Sequence, residues 1–447
     1  MNKREFLKSS GALLTGALLK TYGSGEAMQQ PRTNWSGNYT FHTDHLLAPK
    51  TLEETRKEVV ACGKLRALGS AHSFNGIADS TANQISLMYL EEMDLDAKEG
   101  TVTVGAGVTY GRLAPYLDSR GFALHNLASL LYITVVGACQ TATHGSGVKN
   151  RNLSAAVRAM QITAADGRLA TLSPGELGGR FDGSVVALGA LGVVTSITLA
   201  VEPTYRMSQV VYRDLSMDRL KNHLEEIFSS GYSVSLFTDW QNHRIAQVWI
   251  KSRLPGAPSP APPEFFGAKL ATRNLHPIEG HSAESCTEQM GIPGPWYERL
   301  PHFKMNFTPS NGAELQTEYF VPLERGYEAI LAVEELRDRI TPHLFVTELR
   351  TVAADNLWIS PAYRRQSMTI HFTWKREWPQ VREILPAIEE RLAPFQARPH
   401  WAKLFTIPPS RLQQLYAQMP AYRALLQQYD SGGKFRNAFI RQNIFEG

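Results

Sequence analysis

Residues 66–75 read RALGSAHSFN (Arg66 to Asn75): a short apolar run, a turn of small residues, then a histidine with a hydroxyl beside it. Small residues at Gly69, Ser70 and Ala71 let backbone N–H groups approach an anion closely, which is the chemistry of a pyrophosphate cradle. His72 and Ser73 stand at the end of that cradle. Taken alone, the same letters also describe an ordinary loop. A second stretch, Asn126 to Gly147 (NLASLLYITVVGACQTATHGSG), is rich in Gly, Ala, Ser and Thr and carries His144. It suits either a wrap around a phosphate-bearing cofactor or a glycine-rich connection between strands. A third, Gly189 to Thr195 (GALGVVT), leads into the apolar strand Val193 to Val201. Three small-residue loops between strand-like segments point to one extended dinucleotide across an α+β domain. The order is not the Rossmann one of strand, G-x-G-x-x-G and helix.

The motifs occur in sequence: R-x-L-G-x-x-H-S-F-N, then N-L-A-S-L, then G-A-x-x-T-x-T-H-G-S-G, and finally, at His400 to Lys403, the motif H-W-x-K. This order resembles the FAD-dependent alditol oxidases, which belong with the aldonolactone oxidases in the vanillyl-alcohol-oxidase fold. The resemblance runs from about Asn34 to Phe439. It implies an α+β architecture: a two-lobed FAD-binding domain of the PCMH type over 34–205, an α+β substrate cap over 206–399, and a C-terminal segment, 400–447, returning to the FAD domain. It further implies FAD held covalently through His72. The expected cofactor contacts are Gly69, Ser70, Ala71, His72, Ser73, Ser129, Thr134, Gly137, Ala138, Thr141, Thr143, His144, Gly145, Gly192, Val193, Val194, His400 and Lys403. Some relatives tether the flavin a second time through a cysteine near where Leu131 falls, so a single tether is expected here. Leu131-Tyr132 stand where alditol oxidases usually show Pro-His, at the border of flavin and pocket mouth.

A length of 447 residues leaves room for two or three domains. A net charge of +4 without a long basic stripe argues against nucleic-acid binding. Cys62, Cys139 and Cys286 have neither disulfide-framework nor zinc spacing. The first residues, with Lys3-Arg4 before Glu5-Phe6-Leu7-Lys8 and a short apolar run from Gly11 to Leu19, read as an export leader. They resemble a twin-arginine signal with lysine for the first arginine, cleaved near Ala27, which implies a periplasmic destination, or a cytoplasmic one if the leader is non-functional. The run is too short to span a bilayer.

Thr51-Leu-Glu-Glu54 is a capping box, predicting a helix to about Cys62. A strand is expected over Thr101–Val108, a helix over Tyr110–Arg120, and a hairpin over Met160–Leu172 turning at Asp166-Gly167. Beyond Tyr205, helices are expected over Leu215–Ser229, Arg325–Arg339 and Trp378–Arg391. Strands are expected over Val234–Phe237, Ile245–Lys251, Leu315–Val321, Leu344–Val352 and Met368–Trp374. Arg253–Pro263 reads as a proline-rich surface loop.

Glu348 and Arg350, two apart in VTELRTV, share one strand face and can enter one pocket, although Glu-x-Arg is also a common surface ion pair. His371 and Thr373 repeat the spacing, with a satisfied structural histidine as the alternative. The resemblance implies substrate contacts at Ser129, Gln316, Glu348, Arg350, His371 and Lys403, with Lys403, Arg350 and Glu348 as the catalytic set. Apolar neighbours Pro399, Trp401, Leu404 and Phe405 argue against a solvated Lys403. The implied reaction is oxidation of a polyol's terminal hydroxyl, with oxygen or a membrane electron acceptor taking the electrons. Aldonolactone oxidase, a quinone- or cytochrome-linked dehydrogenase and a non-catalytic carbohydrate binder are the alternatives.

Overall fold

The computed structural model describes residues 31–256, 260–305, 307 and 313–446. The expected export leader and part of the expected proline-rich loop lie outside the described residues. The capping box forms: the Thr51 hydroxyl accepts from Glu54 N–H at 3.1 Å and starts the helix Leu52–Ala61. The Glu54 carboxylate accepts from Lys50 N–H at 2.6 Å, one residue outside the cap. The polypeptide then turns into the strand Leu65–Ala67, which pairs in parallel with Asn83–Ile85, itself parallel to Leu46–Leu47.

A second, five-stranded antiparallel sheet is ordered Met93–Asp96, Thr101–Gly105, Val193–Ala200, Val157–Thr163, Leu169–Leu172. The expected hairpin is its last pair, with Met160 opposite Leu172. The expected strand to Val108 stops at Gly105 instead. Side chains at Gly105 and Gly107 would collide with the backbone carbonyls of Leu90 and Met88, so the backbone turns where only glycine fits. These two sheets are the two lobes, and a cluster of Val59, Leu65, Ile85, Val193 and Phe435 closes one side of their junction.

The cap is built on a ten-stranded sheet. Its central order is Arg206–Ser216, Arg244–Leu254, Ser233–Thr238, Leu344–Val352, Ser367–Lys375, Glu314–Pro322, Arg398–Pro399, antiparallel throughout. The sheet thus opens at Arg206 and ends at Pro399. Helices Leu220–Phe228, Gly326–Glu334 and Trp378–Arg391 lie on one face. Tyr319 reaches Glu389 on the last of these at 2.9 Å, and Gly326 sits against Leu224 and Met368. Two expectations are corrected. Leu215 and Ser216 belong to the long strand Arg206–Ser216, so the helix starts only at Leu220; the run expected over Arg325–Arg339 breaks into Gly326–Glu334 and Arg337–Ile340. Leu344–Val352 and Trp378–Arg391 fall as expected.

After Pro399 the polypeptide returns to the first lobe. Lys434 Nζ donates to the carbonyls of Val59 (2.6 Å) and Ala165 (2.8 Å), and Leu65 N–H donates to Lys434 O. Arg66 ties the junction from inside. It is 3% exposed and donates to the carbonyls of Ile77 (2.5 Å), Leu188 (2.7 Å), Phe435 (2.7 Å) and Gly189 (3.0 Å). One guanidinium fork therefore holds the cradle loop, the Gly189 loop and the C-terminal segment together. Arg66→Met leaves those carbonyls buried without a donor and should lower unfolding stability by about 3 kcal/mol, with Arg66→Lys recovering part of it. Urea midpoints check this; an unchanged midpoint for the methionine variant refutes it.

Candidate active site

The lobes and the cap enclose one cleft of about 1440 Å³ of empty space, counting its open mouth. One wall is the cradle. Ala71, with φ +54°, turns the backbone between Ser70 and His72, a conformation uncommon for a side-chain-bearing residue and frequent at functional loops. A Cβ at Gly69 would lie 2.6 Å from Thr134 Oγ1, so glycine there is what lets the cradle approach the segment that carries Thr134 and Gly137. The cradle is bolted to the late H-W-x-K loop. Asn75 Nδ2 donates to the carbonyls of Trp401 (2.9 Å) and Lys403 (2.7 Å), and Phe74 N–H donates to Ala402 O.

His72 is half-buried at the cleft wall. Its ring lies 4.5 Å from Trp35, 5.5 Å from Tyr132 and 5.9 Å from Phe74, centroid to centroid. Its Nδ1 is buried with no hydrogen-bond partner among the described residues. Burial, and then the Lys403 charge, push its pKa down to about 3, so the imidazole is neutral.

The facing wall is the helix-free face of the cap sheet. Register places Glu318 opposite His371 and His371 opposite Glu348 on three adjacent strands. Residues directly opposite share a face, so these form a polar row across an otherwise buried sheet. Glu318, fully buried, is its centre. Arg350 Nη2 donates to Oε1 at 2.8 Å and Lys403 Nζ to Oε2 at 2.6 Å. Burial pushes the Glu318 carboxyl up, but Lys403, His144 and Arg350 together outweigh it and hold it well below the usual carboxylate range. Burial also lowers Lys403, with Glu318 opposing and Arg350 assisting.

His371 Nδ1 lies 3.3 Å from Arg350 Nη2 and 3.2 Å from Lys403 Nζ. Both neighbours are donors, so Nδ1 accepts and Nε2 carries the hydrogen. Nε2 is buried without a hydrogen-bond partner among the described residues, a donor left for a ligand, whereas Arg350 Nε faces the Glu348 carboxylate at 3.5 Å. Behind His371, His144 Nδ1 donates to Gly145 O at 2.8 Å, while its Nε2 stands 3.2 Å from Glu318. Burial holds His144, His371 and His400 below the ordinary histidine range.

Most expected contacts meet at this cleft: Gly69, Ser70, Ala71, His72, Ser73, Ser129, Thr134, Gly137, Ala138, Thr141, Thr143, His144, Gly192, Val194, Gln316, Arg350, His371, His400 and Lys403 all line it. Three do not. Val193 packs in the junction core with Val59 and Leu65. Gly145 is pressed against Asn126 and the Leu127 carbonyl, where a Cβ would come within 2.4–2.5 Å. Glu348 stands behind Arg350 (3.5 Å from Nε) and accepts from His302 Nε2 at 2.7 Å. Residues not singled out from sequence are Glu318, His302, Lys251 and the role of Arg66. Glu318 was within reach of the same i, i+2 reasoning, two residues after Gln316. His302 lies in a coil with no periodicity to flag it.

The cleft suits an anionic dinucleotide. Small residues leave its backbone open, Arg66 lines it as a buried cation whose hydrogen bonds go to carbonyls, and His72 Nδ1 has no hydrogen-bond partner among the described residues.

Residues 43–173 match a family described as "FAD binding domain", and residues 308–443 one described as "D-arabinono-1,4-lactone oxidase". The protein is similar to alditol oxidase of Streptomyces sp., 43% identical over 414 residues, covering 92% of this chain and 98% of that one. It is 27% identical to L-gulono-1,4-lactone dehydrogenase of Mycobacterium tuberculosis and 24% identical to L-gulonolactone oxidase of Bos taurus, covering 92% of this chain and 98% of each. Among solved structures, cholesterol oxidase from B. sterolicum superposes with a TM-score of 0.74 at 15% identity over 93% of this chain and 96% of that one, which shows a shared fold. With the cradle inside the matched FAD-binding domain and the Glu318 wall inside the matched lactone-oxidase domain, the chain belongs to the FAD-dependent alditol oxidase family, in the aldonolactone oxidase branch.

Proposed function

We propose that this protein oxidises the terminal hydroxyl of a polyol such as xylitol or sorbitol to an aldehyde, with oxygen reduced to hydrogen peroxide. The observation that carries this reading is Arg350 and Lys403 gathered on one buried carboxylate, Glu318, in the cleft that His72 also lines. Bound FAD supplies the hydride acceptor. The protein's part is to position and polarise. Both Glu318 oxygens are engaged, so the wall presents the substrate with two cations and the His371 Nε2–H donor. Such a surface stabilises negative charge developing on a hydroxyl oxygen. Lys403 Nζ, an ammonium donating to Glu318, is placed beside Arg350 to stabilise the hydroxyl oxygen as its proton leaves. Gln316, which donates to Glu314 at 2.6 Å, stands opposite Thr373, extending the wall along which further hydroxyls are held. In this reading Glu348 acts through Arg350.

A lactone substrate is the second reading, favoured by the lactone-oxidase match over residues 308–443. Anaerobic mixing separates the two. Xylitol or sorbitol should bleach the flavin faster than galactono- or gulonolactone, and Lys403→Met should slow bleaching about 100- to 1000-fold with flavin content unchanged. Faster bleaching by a lactone overturns the polyol assignment. In air, peroxide equal to product supports oxygen as acceptor, and product formed only with an added dye or quinone refutes it.

We further propose that FAD is covalently attached to His72. A neutral imidazole with an unpartnered Nδ1 is the nucleophile such a bond requires. Yellow colour should stay with acid-precipitated wild-type protein and leave with His72→Ala. Colour lost from both removes His72 as the tether.

The leader supports export to the periplasm after folding. Fractionated cells should hold a processed form beginning near Ala27 outside the cytoplasm; unprocessed protein confined to the cytoplasm overturns export.

A further inference from the structure

Behind the cleft wall Lys251, His302 and Glu348 form a second series of polar contacts that reaches the cleft through Arg350. Lys251 lies on the strand Arg244–Leu254 and is 1% exposed. Its Nζ donates to Leu300 O (2.5 Å) and Pro301 O (3.1 Å) and stands 3.0 Å from His302 Nδ1. An ammonium has three hydrogens and no acceptor, so these three neighbours use it completely, and His302 Nδ1 must accept. The remaining ring hydrogen is then on Nε2, 2.7 Å from Glu348 Oε1. Trp249 and Phe237 enclose the imidazole edge-on at 5.3 and 5.6 Å. The Glu348 oxygen that His302 holds is the one facing Arg350 Nε at 3.5 Å.

A lysine buried on a sheet face is expensive unless its hydrogens are spent, and here two are spent on the Leu300 and Pro301 carbonyls and the third on the His302 imidazole. The geometry is that of a ligand-orienting outer shell: a charged donor sets the tautomer, the tautomer sets a carboxylate, and the carboxylate sets the guanidinium that meets the substrate. Burial pushes the Lys251 pKa down to about 7 and that of His302 to about 4, so in mildly acidic solution the ammonium and the neutral imidazole coexist.

We propose that Lys251 and His302 form a positioning relay for polyol oxidation, in which the Lys251 ammonium fixes His302 as the Nε2–H tautomer and that N–H holds Glu348 in place behind Arg350. The role in oxidation rests on the function proposed above; the tautomer does not. Neither residue meets the substrate. The relay aims Arg350 from outside the cleft.

The test uses the flavin-loaded enzyme. His302→Leu removes the donor; His302→Gln replaces it with an amide N–H of similar reach; Lys251→Met frees the tautomer. With visible spectrum and flavin content matching wild type, His302→Leu should lose about 10- to 100-fold in kcat/KM for xylitol, and His302→Gln should regain most of it. Equal loss in both His302 variants, or no loss in His302→Leu, overturns the relay. A second readout needs no substrate and no folded leucine variant. In 15N-histidine-labelled wild type at pH 6, the resonance absent from His302→Gln should report a neutral Nε2–H ring and should shift towards a tautomer mixture in Lys251→Met. A cationic or Nδ1–H His302 in the wild type overturns the proposal outright. If no polyol reacts with the wild type, the polyol assignment fails, and the NMR result still judges the relay.

Discussion

A carboxylate with no exposure, on the strand next to one end of a ten-stranded sheet, is the constraint around which this molecule is arranged. Glu318 could not remain ionised there without counter-charges, because desolvation disfavours the charged form by several kcal/mol. Its two oxygens draw one cation from the neighbouring cap strands and one from the C-terminal loop. The backbone repeats the tie: His400 N–H donates to Glu318 O and Leu404 N–H to Gln316 O, while Asn75 holds the same loop from the cradle side. One buried ion triad thereby registers cofactor cradle, cap sheet and C-terminal segment against one another. The polar cluster serves specificity of arrangement; an apolar core of similar volume could be as stable but would carry no such register.

The parts of this arrangement legible in the sequence are those where local pattern and tertiary environment agree. Leu344–Val352 and Trp378–Arg391 were readable because alternation and helical spacing are also what burial demands there. The glycine-rich loops were readable as a cradle because close backbone approach leaves a compositional trace, although Gly145 and Val193 show that such a trace does not separate residues facing the ligand from residues facing the core. Where burial came from both sides, pattern failed. Arg206–Ser216 mixes charged and apolar residues without clean alternation, and it is a strand because neighbours pair along both its edges. His302 and Lys251 meet only because a coil brings His302 onto the strand that carries Lys251. No spacing rule joins positions 51 residues apart.

The Leu131-Tyr132 departure resolves into two different roles. Leu131 is 4% exposed in the main core, and its carbonyl accepts from Gly111 N–H at 2.7 Å, so it is structural. Tyr132 stacks on Trp35 and closes over His72, its hydroxyl buried with no hydrogen-bond partner among the described residues. An aromatic lid of this kind excludes water from the imidazole and adds to the burial that keeps it neutral. The departure therefore bears first on the environment of His72 and only secondarily on the polar wall.

The polar row also bears on which molecules the wall suits. Side chains directly opposite on antiparallel strands stand about 5 Å apart, so Glu318, His371 and the Glu348–Arg350 unit repeat at that interval across the sheet, with Gln316 and Thr373 a row away. The groups this wall turns to the cleft, Arg350, Lys403 and the His371 Nε2–H with Gln316 a row away, suit a molecule bearing several hydroxyls. A lactone ring offers fewer hydroxyls and a carbonyl that only accepts, leaving part of such a wall desolvated and unpaired, a loss that buried polar sites punish strongly. That asymmetry ranks the polyol reading above the lactone reading on physical grounds. It also explains how one wall could serve both substrate classes within a branch: the Arg350–Lys403 pair at the reacting end meets an oxygen in either case, while discrimination lies in the row beyond it.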